Sequence, residues 1–201
     1  MNVKLLTLGA LYTNCYIVGC SETKEALVID PGFSASGDAE QVLGEIEQQS
    51  LNVKYIVNTH GHPDHIEGNK TVKDATDALI LIHELDSPML GTPAGQYSRL
   101  LGFQAASPPA DRTLREGETV RIGHVQLRVL HTPGHSRGSI ALLGEDAVFT
   151  GDTLFAGSIG RYDLPGGSYK EIMNSIRRLT ALPDHLVVYP GHGPTSLIRV
   201  E

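Results

Sequence analysis

Cysteine is scarce: the chain of 201 residues carries two, Cys15 and Cys20. Residues five apart on a regular strand point to opposite faces, which disfavours a disulfide between them, and a disulfide framework needs more than one pair. They read as two buried, inert thiols. No run of basic residues occurs either. Lys and Arg total 16 against 23 Asp and Glu, a formal net charge of −7, which disfavours capture of nucleic-acid phosphates. Long apolar runs are also missing: stretches such as Ala78 to Ile82 fall far short of the roughly 20 residues that span a bilayer. Leu5 to Leu11 follows Lys4, but Thr7 and Gly9 break it and no small-residue cleavage site follows, so it reads as a strand. A globular, cytoplasmic protein without membrane or nucleic-acid partners is the expectation, and 40% hydrophobic content supplies its core.

Glycine, at 22 residues, and proline, at 11, are plentiful, so many turns link short elements. Val3 to Leu8, Asn14 to Cys20 and Ala26 to Asp30 read as a strand meander. Asp38 is placed to cap a helix whose Ala39, Val42, Leu43 and Ile46 form one apolar stripe. Val53 to Val57 is a strand, a helix follows from Gly68, and Leu79 to Ile82 is another strand. Residues 84 to 113 lose periodicity and carry several prolines, marking a loop or lid. Thr119 to Ile122 and Val125 to Leu130 form a hairpin through Gly123-His124, with glycine where a type II′ turn demands it. Ala141 to Leu143, Ala147 to Thr150 and Leu186 to Tyr189 are further strands. Ser168 and Glu171 make a capping box for a helix bearing Ile172, Ile176 and Leu179, stopped by Pro183. Several strands and an amphipathic helix in each half predict an α/β protein, an αββα sandwich of two packed mixed β-sheets with helices on the outer faces. No compositional break divides residues 1–201, so one domain is expected.

The histidines carry the chemistry. Three of nine lie in Thr59-His60-Gly61-His62-Pro63-Asp64-His65, directly after a strand, in a segment that reads as too rich in Gly and Pro to be a helix. Imidazole and carboxylate at this density point to divalent cations. His135 in Pro133-Gly134-His135, Asp152 in Gly151-Asp152, and His192 in Pro190-Gly191-His192-Gly193-Pro194 repeat the pattern of a ligand beside glycine at a strand end. Loops at one edge of packed sheets can bring such residues into one pocket. His83, His124, His131 and His185 occupy ordinary strand-edge or turn positions and are expected to stay outside the site.

The ordered set His60-x-His62-x-Asp64-His65, His135, Asp152 and His192 resembles the metallo-β-lactamase superfamily over nearly the whole chain. Thr150-Gly151-Asp152-Thr153-Leu154-Phe155 and the closing Pro-Gly-His-Gly-Pro are similar to glyoxalase II-like hydrolases, the hydroxyacylglutathione hydrolases and their short relatives. The resemblance implies that His60, His62 and His135 hold a first metal, Asp64, His65 and His192 a second, and that Asp152 bridges them. It implies two divalent ions, zinc foremost with iron or manganese as alternatives. A hydroxide between them would attack the carbonyl of a small-molecule thioester or ester, with Asp64 as ligand and acceptor for that nucleophile. The long enzymes of this group add a helical domain after the last metal histidine and carry a Lys and Tyr for glutathione, where this chain reads Ala156 to Arg161 and continues for nine residues past His192; the thiol carrier therefore stays open. Arg161 is a candidate for a substrate carboxylate, against a structural pairing with Asp163, and Tyr97 and Phe103 are candidates for substrate contact from the lid. A second reading is a persulfide dioxygenase with one iron on His60, His135 and Asp152. A non-catalytic metal module is disfavoured, because a structural site closes with about four ligands.

Overall fold

Cys15-Tyr16-Ile17-Val18 is apolar on both faces, and a strand with two apolar faces has to be covered twice. The computed structural model describes residues 1–33, 35–91 and 107–201, and in it this segment lies in β2 (Thr13–Gly19), buried along its whole length. Tyr16 and Val18 enter the core between two sheets, whereas Cys15 and Ile17 enter the core beneath the helices. That alternation is the period of a pleated strand.

Each of the two sheets has six strands among the described residues. The first runs in chain order from β1 (Asn2–Leu8) through β2, β3 (Glu25–Ile29), β4 (Asn52–Asn58) and β5 (Leu79–His83) to β6 (Arg112–Leu114). Its β1–β2–β3 part is antiparallel, and β3 through β6 are parallel. The parallel part requires crossovers. These are α1 (Ser36–Gln48), then α2 (Pro63–Ile66) with α3 (Asn69–Thr76). The second sheet is ordered β14-β13-β10-β9-β8-β7, built from β7 (Thr119–Ile122), β8 (Val125–His131), β9 (Ile140–Leu143), β10 (Ala147–Gly151), β13 (Val187–Pro190) and β14 (Ser196–Leu197). A small hairpin of β11 (Leu154–Phe155) and β12 (Ser158–Ile159) follows β10, and α4 (Tyr169–Leu179) covers the outer face. The sandwich predicted from sequence is the fold observed.

Three apolar layers hold it. Between the sheets, Tyr16, Leu27, Ile29, Val57 and Leu81 meet Val129, Leu142 and Phe149. Val42, Ile46 and Val72 of α1 and α3 cover one outer face, and Ile172 and Leu179 of α4 are buried on the other side. Full burial of each such side chain is worth about 1.5–3 kcal/mol.

Local departures from the sequence reading have identifiable causes. Helix α1 starts at Ser36 behind Ala35, and Asp38 does not cap it; its carboxylate instead accepts the Gly9 N–H at 3.0 Å. The second half of the histidine motif is the helical turn α2, with Pro63 in its first turn, where the missing N–H costs nothing. Segment 84–113 includes a 3-10 turn at Ser87–Met89 and the edge strand β6, too short to show periodicity. Tyr97 and Phe103 lie outside the described residues. The Ser168 hydroxyl caps the helix by accepting the Glu171 N–H, but the box stays half made, because the Ser168 N–H donates to the Gly134 carbonyl at 2.8 Å. Cys15 and Cys20 are free and buried, but only Cys15 fits the inert description. Burial pushes its thiol pKa up, whereas hydrogen bonds from Thr23 bring that of Cys20 down to about 6. No helix among the described residues is long and apolar enough to cross a membrane.

Candidate metal centre

Parallel strands deliver their C-terminal ends to one edge, and loops leaving that edge share a crevice. His60 and His62 follow β4, His135 follows β8, Asp152 follows β10 and His192 follows β13. The structure brings all of them together with Asp64 and His65 of α2. His60, His62 and His135 form one group of potential ligand atoms, and Asp64, His65 and His192 another. In the first, His135 Nε2 lies 2.8 Å from His62 Nδ1 and 3.2 Å from His60 Nε2. In the second, His192 Nε2 lies 3.3 Å from His65 Nε2 and 3.2 Å from Asp64 Oδ2. Asp152 touches both groups: Oδ2 is 3.6 Å from both His135 Nε2 and His192 Nε2, and Oδ1 is 3.4 Å from His65 Nε2.

The hydrogen bonds behind the ring nitrogens set their tautomers. His135 Nδ1 donates to the Arg161 carbonyl at 2.8 Å, and His192 Nδ1 to the Leu11 carbonyl at 3.1 Å. His65 Nδ1 donates to Asp30 Oδ2 at 2.9 Å. The Thr59 hydroxyl donates to Asp30 Oδ2 at 2.6 Å, so it accepts from His60 Nδ1 at 3.2 Å. Each of these four rings therefore turns its Nε2 inward. Lone pair faces lone pair between His60 and His135, an arrangement that a cation between the rings resolves. Asp152 Oδ1 adds a buried oxygen with no hydrogen-bond partner among the described residues. Five imidazoles and two carboxylates are the donor set of a divalent cation of intermediate hardness, and seven donors exceed the four of one tetrahedral site. The residues present fit a pair of cations.

Electrostatics divides the two groups. Burial drives the pKa of His60 well below its ordinary value, with His65 and His62 adding to the effect, and burial with His135 brings His62 down to about 4. Burial acts in the same direction on His65, but Asp152, Asp64 and Asp30 outweigh it and raise that pKa well above the ordinary value. His192 is raised by Asp64 and Asp152 against the same opposition. For Asp64 and Asp152 burial pushes upward, and the neighbouring histidines, His65 first, hold both carboxyls below their ordinary range. Both are acceptors at neutral pH.

Gly191 shows how tightly the loops close. A Cβ there would stand 2.1 Å from Asp152 Oδ1 and 2.8 Å from His65 Cε1, so only glycine lets this backbone pass. The backbone around His192 is tied to β2: Asn14 Nδ2 donates to the carbonyls of Pro190 at 3.0 Å and Gly193 at 2.8 Å, and the Tyr16 hydroxyl to that of Pro190 at 2.6 Å.

Sequence reasoning missed Asp30, Asn14 and Asp86. Asp30 is 1% exposed and holds both the Thr59 N–H, at 2.7 Å, and His65. Its signal was available, because Asp30-Pro31-Gly32 ends a strand beside glycine as the other site residues do. Asn14 and Asp86 carry no such mark. Arg161 pairs with Asp163 through two bonds of 2.8 and 2.9 Å, and its backbone carbonyl orients His135. Of the remaining histidines, His83 and His131 stack at 4.2 Å, and none of His83, His124, His131 and His185 joins a ligand group among the described residues.

A family model of the metallo-beta-lactamase superfamily matches residues 8–192. The hydroxyacylglutathione hydrolase GloC of Haemophilus influenzae is 35% identical over 100% of this chain and 95% of its own length. Among solved structures, BLEG-1 B3 metallo-beta-lactamase superposes with a TM-score of 0.91 at 36% identity, covering 100% of this chain and 96% of that one. TTHA1623 in a di-iron-bound form gives 0.87 at 37% identity, covering 99% and 96%.

Proposed function

The chain belongs to the metallo-β-lactamase superfamily, and from that membership we propose a dinuclear metallohydrolase that cleaves hydroxyacylglutathione-type thioesters or related esters. One observation carries the proposal: two groups of inward-facing donors share the single carboxylate of Asp152. His60, His62 and His135 would hold one cation, Asp64, His65 and His192 the other, and Asp152 both. Zinc suits this donor set, as do iron and manganese. Bound there, two divalent cations supply Lewis acidity toward a carbonyl oxygen and make water a nucleophile near neutral pH.

The chain's own groups position and accept. Asp64, ionised and half-buried beside His192, offers Oδ2 as the hydrogen-bond acceptor that orients an attacking water. Asp30 and the carbonyls of Arg161 and Leu11 keep three imidazoles in the tautomer that leaves Nε2 unprotonated. The Arg161 guanidinium is engaged by Asp163, so a substrate carboxylate would reach it by displacing that partner. The similarity to the relative named hydroxyacylglutathione hydrolase supports the thioester as substrate class.

Elemental analysis of the metal-replete protein, followed by rates on S-lactoylglutathione, a simple ester and a β-lactam, tests the reading. Two ions per chain and thioester cleavage above the other two rates are expected. A single ion, with oxygen uptake on glutathione persulfide and no hydrolysis, would overturn it in favour of the one-iron oxygenase, which gives His62, Asp64, His65 and His192 no role.

A further inference from the structure

Asp86 sits in the turn after β5 and is 1% exposed, yet it belongs to neither ligand group. Its carboxylate is saturated by donors from the two loops that carry the first group. Oδ2 accepts the backbone N–H of Gly61 at 3.1 Å and the Ser136 hydroxyl at 2.6 Å, while Oδ1 accepts the backbone N–H of Gly138 at 2.7 Å. Gly61 is the residue between His60 and His62, and Ser136 is the residue after His135. The Ser136 hydroxyl also meets Ser139 Oγ at 2.7 Å, and Ser139 Oγ accepts the Ser136 N–H at 3.1 Å, which closes the loop on itself.

The surroundings leave no slack. A Cβ on Gly138 would stand 2.6 Å from Asp86 N and 2.7 Å from Asp86 Oδ1, and one on Gly61 would stand 2.7 Å from Met89 Cβ. Both glycines are therefore sites where backbone approaches the Asp86 turn as closely as it can. His60 and His62 come from one sheet and His135 from the other, so their separation depends on what joins the two loops. We propose that Asp86 is the positioning residue of the His60–His62–His135 group, its carboxylate fixing the distance between the two loops before a cation arrives. This rests on the metal-binding reading above.

Asp86→Asn is the direct perturbation. The new amide replaces one oxygen with a donor. The Ser136 hydroxyl can turn to accept from it, but a backbone N–H cannot, so a loop loses its tether. Cobalt affinity is measured by chelator competition in two backgrounds, His192→Ala, which leaves the first group intact, and His62→Ala, which leaves the second. Partners behind the ligands are worth about ten- to a hundredfold in metal affinity, so Asp86→Asn is expected to weaken cobalt by that factor in the first background and by less than threefold in the second. Ser136→Ala, which keeps both backbone bonds, should give a smaller loss with the same asymmetry, and it decides the question if Asp86→Asn does not fold. Asp111→Asn is the stability control. It removes a carboxylate that accepts the Ile80 N–H at 2.8 Å and Lys73 at 2.7 Å at the opposite end of β5, and should lower the melting temperature without changing cobalt affinity.

Equal loss in both backgrounds, no loss in either, or an Asp111→Asn effect on cobalt matching that of Asp86→Asn would overturn the assignment. The parent protein taking up fewer than two cobalt ions would count against the dinuclear reading instead, leaving the comparison in the first background valid.

Discussion

Asp30→Asn exchanges one oxygen for an amide of the same size, and the hydrogen bonds around Asp30 determine which way that amide turns. Oδ1 faces the Thr59 N–H, so the amide oxygen takes that place and the NH2 takes the place of Oδ2. There it meets the Nδ1–H of His65, donor against donor. His65 can relieve the clash by keeping its proton on Nε2 instead, which holds an N–H in the space where a lone pair would meet a cation. A hydrogen bond to a charged group is worth about 1.5–3 kcal/mol, and each 1.36 kcal/mol is tenfold, so affinity for the second cation should fall by about 10- to 100-fold. The first group feels the change only through Thr59, whose hydroxyl can turn to accept from the NH2 while still accepting from His60 Nδ1, so it should change less. Chelator competition with zinc or cobalt reads the two equivalents separately, and a melting curve of the metal-free variant reports whether the fold survives. Loss of the first equivalent alone, or unchanged affinity for both, would refute the tautomer argument.

Removal of ligands should separate the groups further. Asp152→Ala takes a shared carboxylate from both sides and is expected to abolish thioester hydrolysis and lower both occupancies. His192→Ala should keep one cation with weak residual turnover, and parent-like hydrolysis by that variant would sink the two-metal mechanism. The His83 pKa is lowered by burial and by His131, and its Nδ1 accepts the Leu85 N–H at 3.2 Å. Below the ordinary histidine value of 6.5 the unfolded chain therefore takes up this proton before the folded one does, and stability declines as pH falls from there toward the depressed folded value. The melting temperature of the parent should drop more between about pH 6.5 and pH 5 than that of His83→Gln, and parallel curves would contradict this. With its pKa at about 6, Cys20 should alkylate with iodoacetamide near neutral pH before Cys15 does, as read by peptide mass mapping; equal labelling would show that burial decides both.

Much of this molecule is legible in the sequence. The unbroken apolar run Cys15–Val18 reads as a doubly covered strand, and glycine beside histidine or aspartate at strand ends marks the candidate ligands, because such a loop must turn sharply and let other loops approach. Contacts that depend on a partner distant in the chain escape. Asp38 has the chemistry of a cap but bonds Gly9, 29 residues away, and nothing local states that preference. Asp86 joins loops 25 and 50 residues away from itself, and a single carboxylate in an aperiodic segment gives no hint of it. Helix α2 escapes for another reason: four residues are too few to show an apolar stripe, and a proline that would break a helix interior is harmless at its start.

The tie between residues 11–16 and 190–193 has a consequence for how the protein comes into being. The His192 imidazole is oriented by a carbonyl 181 positions earlier, and Asn14 and Tyr16 grip the same stretch across 174 to 179 positions. On the ribosome the β1–β2 hairpin must wait for the 174 positions that separate Tyr16 from Pro190 before it meets that stretch. Closing so long a loop is entropically slow, and folding rates fall as contacts become more distant in sequence. In the proposed assignment His60, His62 and His135 all precede that stretch, so a cation held by them would need none of residues 190–193. A cation on Asp64, His65 and His192 would need the tie to have closed, so its uptake would report that late contact.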